Sequence, residues 1–435
     1  MTADDEHPLR YSLVNELHAR PSPRLEAPCT AVFMAFKEPR DAANRDRSKD
    51  VVHLADLCAR HGAPRPDPAS AHYSAQLGRH LLNWESHTEF VTYAAFMPGL
   101  PHQPFDPSAG DVFPQHWQHQ APGKRIAAVM IQVDILPENP ADILPRLSQW
   151  FAKESIATVW VLEEAAVVAG DFRIDPSGWM RFAVFVKPGT GAGRVGRIIQ
   201  RLVELETYRA MSMLGLGRAG GLNRLLNQLD PELNDIVQGM SDGTRPPEAV
   251  LQELLSVSAR LESAAMQHSF RFGATAAYQA IVNDRVAALR ETRFMGGQML
   301  TEFMTRRYHP AMRTAKSAEQ RLNAMLNRSE RAAELLRTRV DVWRGAQNQD
   351  LLERADRRAD LQLRLQHTVE GLSVVAISYY AVGLLGYALD PVAKHVGIEK
   401  SLLVAILTPL VIFCVWLAMR RIHARLHGAD SDASH

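Results

Sequence analysis

Three residues able to bind a proton or a metal alternate in the string WESHTEF: Glu85, His87 and Glu89. On a strand, a period of two puts them on one face, with Trp84, Ser86, Thr88 and Phe90 on the other. An imidazole and two carboxylates are ligands for a divalent cation, and His18 or Glu16 from the string NELHARP could complete the set. Alternate strand positions lie about 7 Å apart, so one ion would need help from a second segment. The competing reading is a polar strand face whose Glu, His and Arg side chains pair and fix the N-terminal segment. No cofactor beyond such a cation is expected.

Gly191-Ala-Gly193-Arg-Val-Gly196 spells GxGxxG between an expected strand and an expected helix, the local context of a dinucleotide site. The wider context does not follow, because the helix leads into more helix rather than a second parallel strand ending in an acid. What survives is an anion site, in which helix-start amides with Arg194, Arg197 and Arg201 would hold a phosphate or an acidic headgroup. The plainer alternative is a tight strand-to-helix turn beside a solvated basic face. In the same helix Glu204 and Tyr208 stand four apart, and Glu206 and Arg209 three apart, which predicts local pairs.

Near the C-terminus, His367 and Glu370 precede an apolar run holding Ser373, Ser378, Tyr379 and Tyr380. In an oligomer Glu370, Ser378, Tyr379 and Tyr380 would line a polar path; otherwise the tyrosines pack or sit at an interface. The sequence contains no GxSxG, no HExxH, no Walker loop and no Cys with a neighbouring His, so no enzyme is expected. Cys29, Cys58 and Cys414 are far apart and form no CxxC, which points to reduced thiols rather than a disulfide or a zinc site.

The elements that position these residues follow from length and periodicity. A chain of 435 residues suggests two or three domains. Its 49 basic and 48 acidic residues give no global case for nucleic acid. Residues 1–192 read as a mixed α and β domain, with strands over 30–36, 125–135, 158–163, 167–174 and 179–187. The stretch 80–96 is two strands or one long bent one. Helices are expected over 48–60, with Ser48 as N-cap, and over 140–153; 102–122 reads as an irregular loop.

From Gly193 the period becomes helical. A helix to Leu216 is followed by a glycine-rich break over 215–221. A second helix opens at Thr244-Arg-Pro-Pro-Glu248 and runs to about Arg307. The stretch 310–370 carries Ala315, Ala318, Leu322, Met325, Ser329, Ala332 and Leu336 at alternating three- and four-residue spacing, a heptad-like seam that predicts a homo-oligomer. Sixty helical residues would extend about 90 Å.

The last part fixes location. Residues 371–389 and 401–419 are each 19 long without Asp, Glu, Lys or Arg, enough to cross a hydrocarbon core of about 30 Å. Arg354, Arg357, Arg358 and Arg364 precede the first run, and Arg420, Arg421 and Arg425 follow the second, while the intervening 390–400 holds two Lys. Both ends are therefore expected in the cytoplasm and the loop outside, a multi-pass arrangement in an inner membrane. The acidic, polar start lacks a signal pattern, which places the N-terminal part in the cytosol.

The strings HPLRYSLVNELHARP, WESHTEF, GRIIQRLVELETYR, LLRTRVDV and QLRLQHTVEGLSVVAISYYAVGLLGY together resemble a bacterial family of uncharacterised membrane-anchored proteins. That resemblance implies a cytosolic body and a membrane anchor. The order of parts also resembles the CorA-type divalent-cation channels, without their Gly-Met-Asn signature: the first run ends Gly383-Leu-Leu-Gly386-Tyr-Ala-Leu-Asp390. The expectation is thus an α+β cytosolic domain with a mixed sheet (1–192), a long-helix stalk (193–370), a transmembrane hairpin (371–419) and a basic then polar tail (420–435). Its partners would be the bilayer, further copies of itself or a cytosolic protein. Its role would be ion permeation or sensing, or that of a membrane-tethered scaffold or binding protein.

Overall fold

The computed structural model describes residues 22–39, 44–242, 245–396 and 399–430, with 7, 9–11 and 14. Glu16, His18 and the expected helix cap Thr244 lie outside the described residues. The chain divides into two compact units, Met1–Ala333 and Glu334–His435.

Among the described residues the first unit is built on nine strands: β1 (Cys29–Lys37), β2 (His72–Leu77), β3 (His80–Ser86), β4 (Phe90–Pro98), β5 (Lys124–Ile135), β6 (Ala157–Val161), β7 (Ala166–Ile174), β8 (Met180–Val186) and β9 (Thr292–Arg293). They form one sheet in the order β2-β3-β4-β1-β5-β8-β7-β6-β9. Every pairing is antiparallel except β5–β8, so the sheet is mixed as expected. The central strand β1, CTAVFMAFK, is buried along its whole length, consistent with a near-continuous apolar run covered on both faces. The edge strand β2, HYSAQL, alternates exposed and half-buried positions, and this polar pattern hid it from the sequence reading.

Each face of the sheet carries its own core. One is covered by α1 (Ser48–Arg60), α2 (Gln115–His119) and α3 (Leu144–Trp150), and buries Met34, Phe36, Leu54, Leu57, Trp84, Tyr93 and Trp117. The 102–122 stretch is therefore more than an irregular loop, since it delivers Phe105, Phe113 and Trp117 to this core. The other face packs Val129, Ile131, Phe182 and Val184 against Val195, Ile198, Ile199 and Leu202 of α4 (Ala192–Asp242).

Three helical expectations need correction. The first concerns α4, which does not break at 215–221 but runs through it for 51 residues. A Cβ on Gly215 would collide with the Thr275 side chain of α5 (Pro247–Leu289), so this glycine admits close helix approach instead of ending the helix. The second concerns α5, which stops at Leu289 rather than near Arg307. Arg290 takes the left-handed conformation at φ +48°, and the chain re-enters the sheet as β9. A short α6 (Leu300–Phe303) and a π turn over Met304–Tyr308 then lead into α7 (His309–Val396).

The third concerns the heptad-like seam. Ala315, Ala318, Leu322, Met325, Ser329 and Ala332 are already buried by the chain's own helices. Ser329 meets Ser258 of α5 at 2.5 Å, and Arg321 pairs with Asp230 of α4 at 3.1 Å. An apolar stripe satisfied inside one chain no longer calls for a second copy.

In the second unit α7 continues through Asp390-Pro391, which was expected to open the loop, as far as Val396. The last helix is α8 (Lys400–Asp430). α7 and α8 approach at Gly386, where an added Cβ would lie 3.8 Å from Val404. Both contain a stretch long and apolar enough to cross a membrane, and only 11% and 6% of those stretches is buried.

Candidate functional site: a polar cleft between sheet and helices

Of the two readings of 80–96 the structure has the two strands, and the string WESHTEF spans the end of one, the turn and the start of the next. β3 ends at Ser86, β4 begins at Phe90, and His87, Thr88 and Glu89 connect them. Period-two alternation therefore holds only as far as Ser86. Trp84 and Ser86 bury toward α1, while Glu85 leaves the opposite face toward α4.

Two arginines hold this turn. Arg45 donates to the carbonyls of His87 (2.6 Å), Phe90 (3.0 Å) and Thr88 (3.1 Å), and forms a buried ion pair with Asp50 of α1. Burial pushes the Asp50 carboxyl up, against the opposing pull of Arg45. From the other side Arg271 closes on the buried carboxylate of Glu89, which also accepts from the Tyr278 hydroxyl at 3.0 Å. Arg271 and Tyr278 stand seven apart on α5 and so share a face. Burial, and then the Glu89 charge, push the Tyr278 phenol well above its ordinary range.

Beside the turn lies a cleft of about 300 Å³. Asn83, Glu85, His87, Phe90 and Thr92 line it from the sheet, Gln200, Glu204, Thr207 and Tyr208 from α4, and Arg285 from α5. His87 Nε2 lies 3.4 Å from Glu85, and its ring stacks on Phe90 with centroids 4.3 Å apart. Phe90 meets Tyr208 and Tyr278 edge-on, and those two tyrosines stack at 5.5 Å. Glu204 pairs with Arg285 and accepts from Gln200 at 2.9 Å. The Thr207 hydroxyl donates to Val203 O at 2.7 Å, so it is not poised as a nucleophile. The cleft thus presents carboxylates, an imidazole, a guanidinium and amides over aromatic rings.

The sequence candidates distribute as follows. Glu85 and His87 enter the cleft, but Glu89 turns away to Arg271, so the three do not converge. Among the described residues no group of three His, Cys, Asp or Glu side chains is placed to hold a metal ion. Glu206 pairs locally with Arg209 through two 2.7 Å hydrogen bonds, as the spacing suggested, whereas Glu204 reaches across to α5.

The glycine-rich turn has a packing explanation at its third glycine. A Cβ on Gly196 would overlap the Pro23 carbonyl, and Leu25 N–H donates to Ala192 O at 3.1 Å. Arg194 and Arg197 are exposed. Arg201 donates to Ala288 O at 2.8 Å, at the C-terminal end of α5. Burial and the nearby Arg197, Arg290 and Arg285 lower its proton affinity. In the second unit Ser378 is buried, whereas Tyr379 and Tyr380 are 76% and 70% exposed, and Glu370 lies 3.8 Å from His367. Consecutive residues point about 100° apart on a helix, so these side chains do not share one face.

Sequence reasoning missed Arg45, Asp50, Arg271, Tyr278 and Arg285. Only the seven-residue spacing of Arg271 and Tyr278 was a legible signal. The chain matches a family described as a protein of unknown function, DUF3422, over residues 5–426. It belongs to that family. Both apolar stretches and every cleft residue of this DUF3422 chain fall inside the matched range. A comparison with curated proteins finds no match. The DUF3422 chain has a mixed sheet, long helices and two apolar helices near the C-terminus; likeness to a CorA-type channel is not shown.

Proposed function

We propose that the protein is a membrane-tethered binding protein whose first unit takes a small polar ligand in the cleft and whose two C-terminal apolar helices anchor it. The observation that carries the anchor is the low burial of those helices. Core helices of a soluble protein hide their apolar side chains, whereas here Leu372, Val375, Leu384, Leu402, Ile406 and Phe413 are exposed. Trp416, with Arg420 5.3 Å from its ring, has the amphipathic character of an interfacial anchor. The arginines on the outer flanks of the hairpin support a multi-pass topology in an inner membrane, with both ends cytoplasmic.

An ion-conducting oligomer of CorA-like layout is the rival reading. It needs a polar face on the first span, and Ser378, Tyr379 and Tyr380 point in different directions. It also loses the seam that argued for several copies. The tether is therefore the better-supported reading.

Topology is tested with one added cysteine at a time in a Cys414→Ser background, in which the remaining Cys29 and Cys58 are buried. An impermeant thiol reagent added to intact inner-membrane preparations opened to the periplasm should label Glu399→Cys and leave Asn348→Cys unlabelled. Equal labelling of both would contradict a two-span anchor.

A further inference from the structure

We infer that the end of β1 forms an anion site for a phosphate-bearing group, made by Lys37, Lys124, Arg218 and Arg271. It lies outside the cleft described above and does not depend on that reading. The four line a recess of about 450 Å³ whose only acid among the described residues is Glu38, with Leu214 and Gly217 of α4 completing the wall.

Four observations converge. Lys37 is 8% exposed, yet its ammonium has one hydrogen-bond partner among the described residues, the Glu38 carbonyl at 2.7 Å. A buried ammonium held by one neutral acceptor is under-compensated. Lys37 and Lys124 are direct partners in the β1–β5 register, and like charges opposite each other destabilise a strand pair. Arg271 is held in place by Glu89, so its guanidinium is pre-positioned beside the recess. Burial and the charges of Arg271 and Arg218 lower the proton affinity of Lys37, with Glu89 and Glu38 opposing. A bound anion would compensate the Lys37 charge and offset the opposition of Lys37 and Lys124. The group could come from a soluble phosphate compound or from the headgroup of an anionic lipid.

The test uses the full chain in zwitterionic nanodiscs and reads the thermal midpoint. Inorganic phosphate at constant ionic strength, with chloride as the control, should raise the midpoint saturably. Lys37→Met and Arg218→Ala should each raise the half-saturating concentration at least tenfold. Without phosphate, Lys37→Met should be at least as stable as the wild type, since it removes an under-compensated charge. A response only in discs containing phosphatidylglycerol, lost in Lys37→Met, supports the site and assigns it to a headgroup. Equal responses in wild type and both variants, no response beyond chloride in either kind of disc, or a Lys37→Met chain that fails to fold would overturn it.

Discussion

Arg271 of α5 and Glu89 of the β3–β4 turn form a buried ion pair between residues 182 positions apart. It fastens a sheet turn to a helix and fixes one end of the polar cleft. Breaking such a pair leaves one charge buried without its partner, at a cost of about 3–5 kcal/mol. Arg271→Ala should therefore lower stability to urea by that amount. The double variant Glu89→Met with Arg271→Met should lose less than the sum of the two single changes. A loss below about 1 kcal/mol for Arg271→Ala would mean that the pair does not hold the turn.

Close approach accounts for two glycines and not for their neighbours. Gly196→Ala meets the Pro23 carbonyl and Gly215→Ala meets Thr275, so each should cost about 1–3 kcal/mol by overpacking. Gly221→Ala, in open space on the same helix, should be neutral or stabilising by up to about 1 kcal/mol. Thermal unfolding of the three variants side by side checks the contrast.

Acid should weaken the first unit beginning near neutrality. His53 is buried between Tyr93 Oη (2.8 Å) and Trp117 O (2.9 Å) and stacks on the Trp117 ring, and burial lowers its pKa. Burial also lowers the pKa values of His80 and His268. The unfolded chain, with histidine near 6.5, then binds more protons than the folded one as pH falls. Stability is held above about pH 6.5 and lost below it. Asp50, whose pKa is raised, acts in the opposite sense at lower pH, above the ordinary carboxylate value. Midpoints at pH 7.5 and 5.5 should separate, and by less in His53→Gln; equal separation would remove His53 from the account.

The seam on α7 is a core feature of one chain. Leu322→Ala should cost about 2–5 kcal/mol by cavity formation without changing the mass of the detergent-solubilised particle. Dissociation of a larger particle by this change would place the seam between copies.

Much of the fold was legible where one pattern had one cause. The apolar runs of β1, β5 and β8 read directly as strands, and α1 occupies 48–60 as expected. Its cap did not: Arg47 is the N-cap, and the Ser48 hydroxyl donates to Asp46 at 2.6 Å. Two strands were legible over 80–96, but the turn between them was not, because His87-Thr88-Glu89 contains no Gly, Pro, Asn or Asp. Its shape comes from Arg45 and Arg271, which act from distant segments. Gly215 was misread because a glycine admitting a neighbouring helix looks in sequence like one ending its own. Of the candidate site, Glu85 and His87 were legible by residue type. Their partners on α4 and α5 depended on how the helices cross the sheet, which no local spacing encodes.

The tether is tested by extracting membranes that contain the full chain with alkaline carbonate and high salt, then with a non-ionic detergent. The protein should stay in the membrane pellet through both washes and enter solution only with detergent. Release by carbonate would contradict two membrane-crossing helices and remove the anchor from the proposed function.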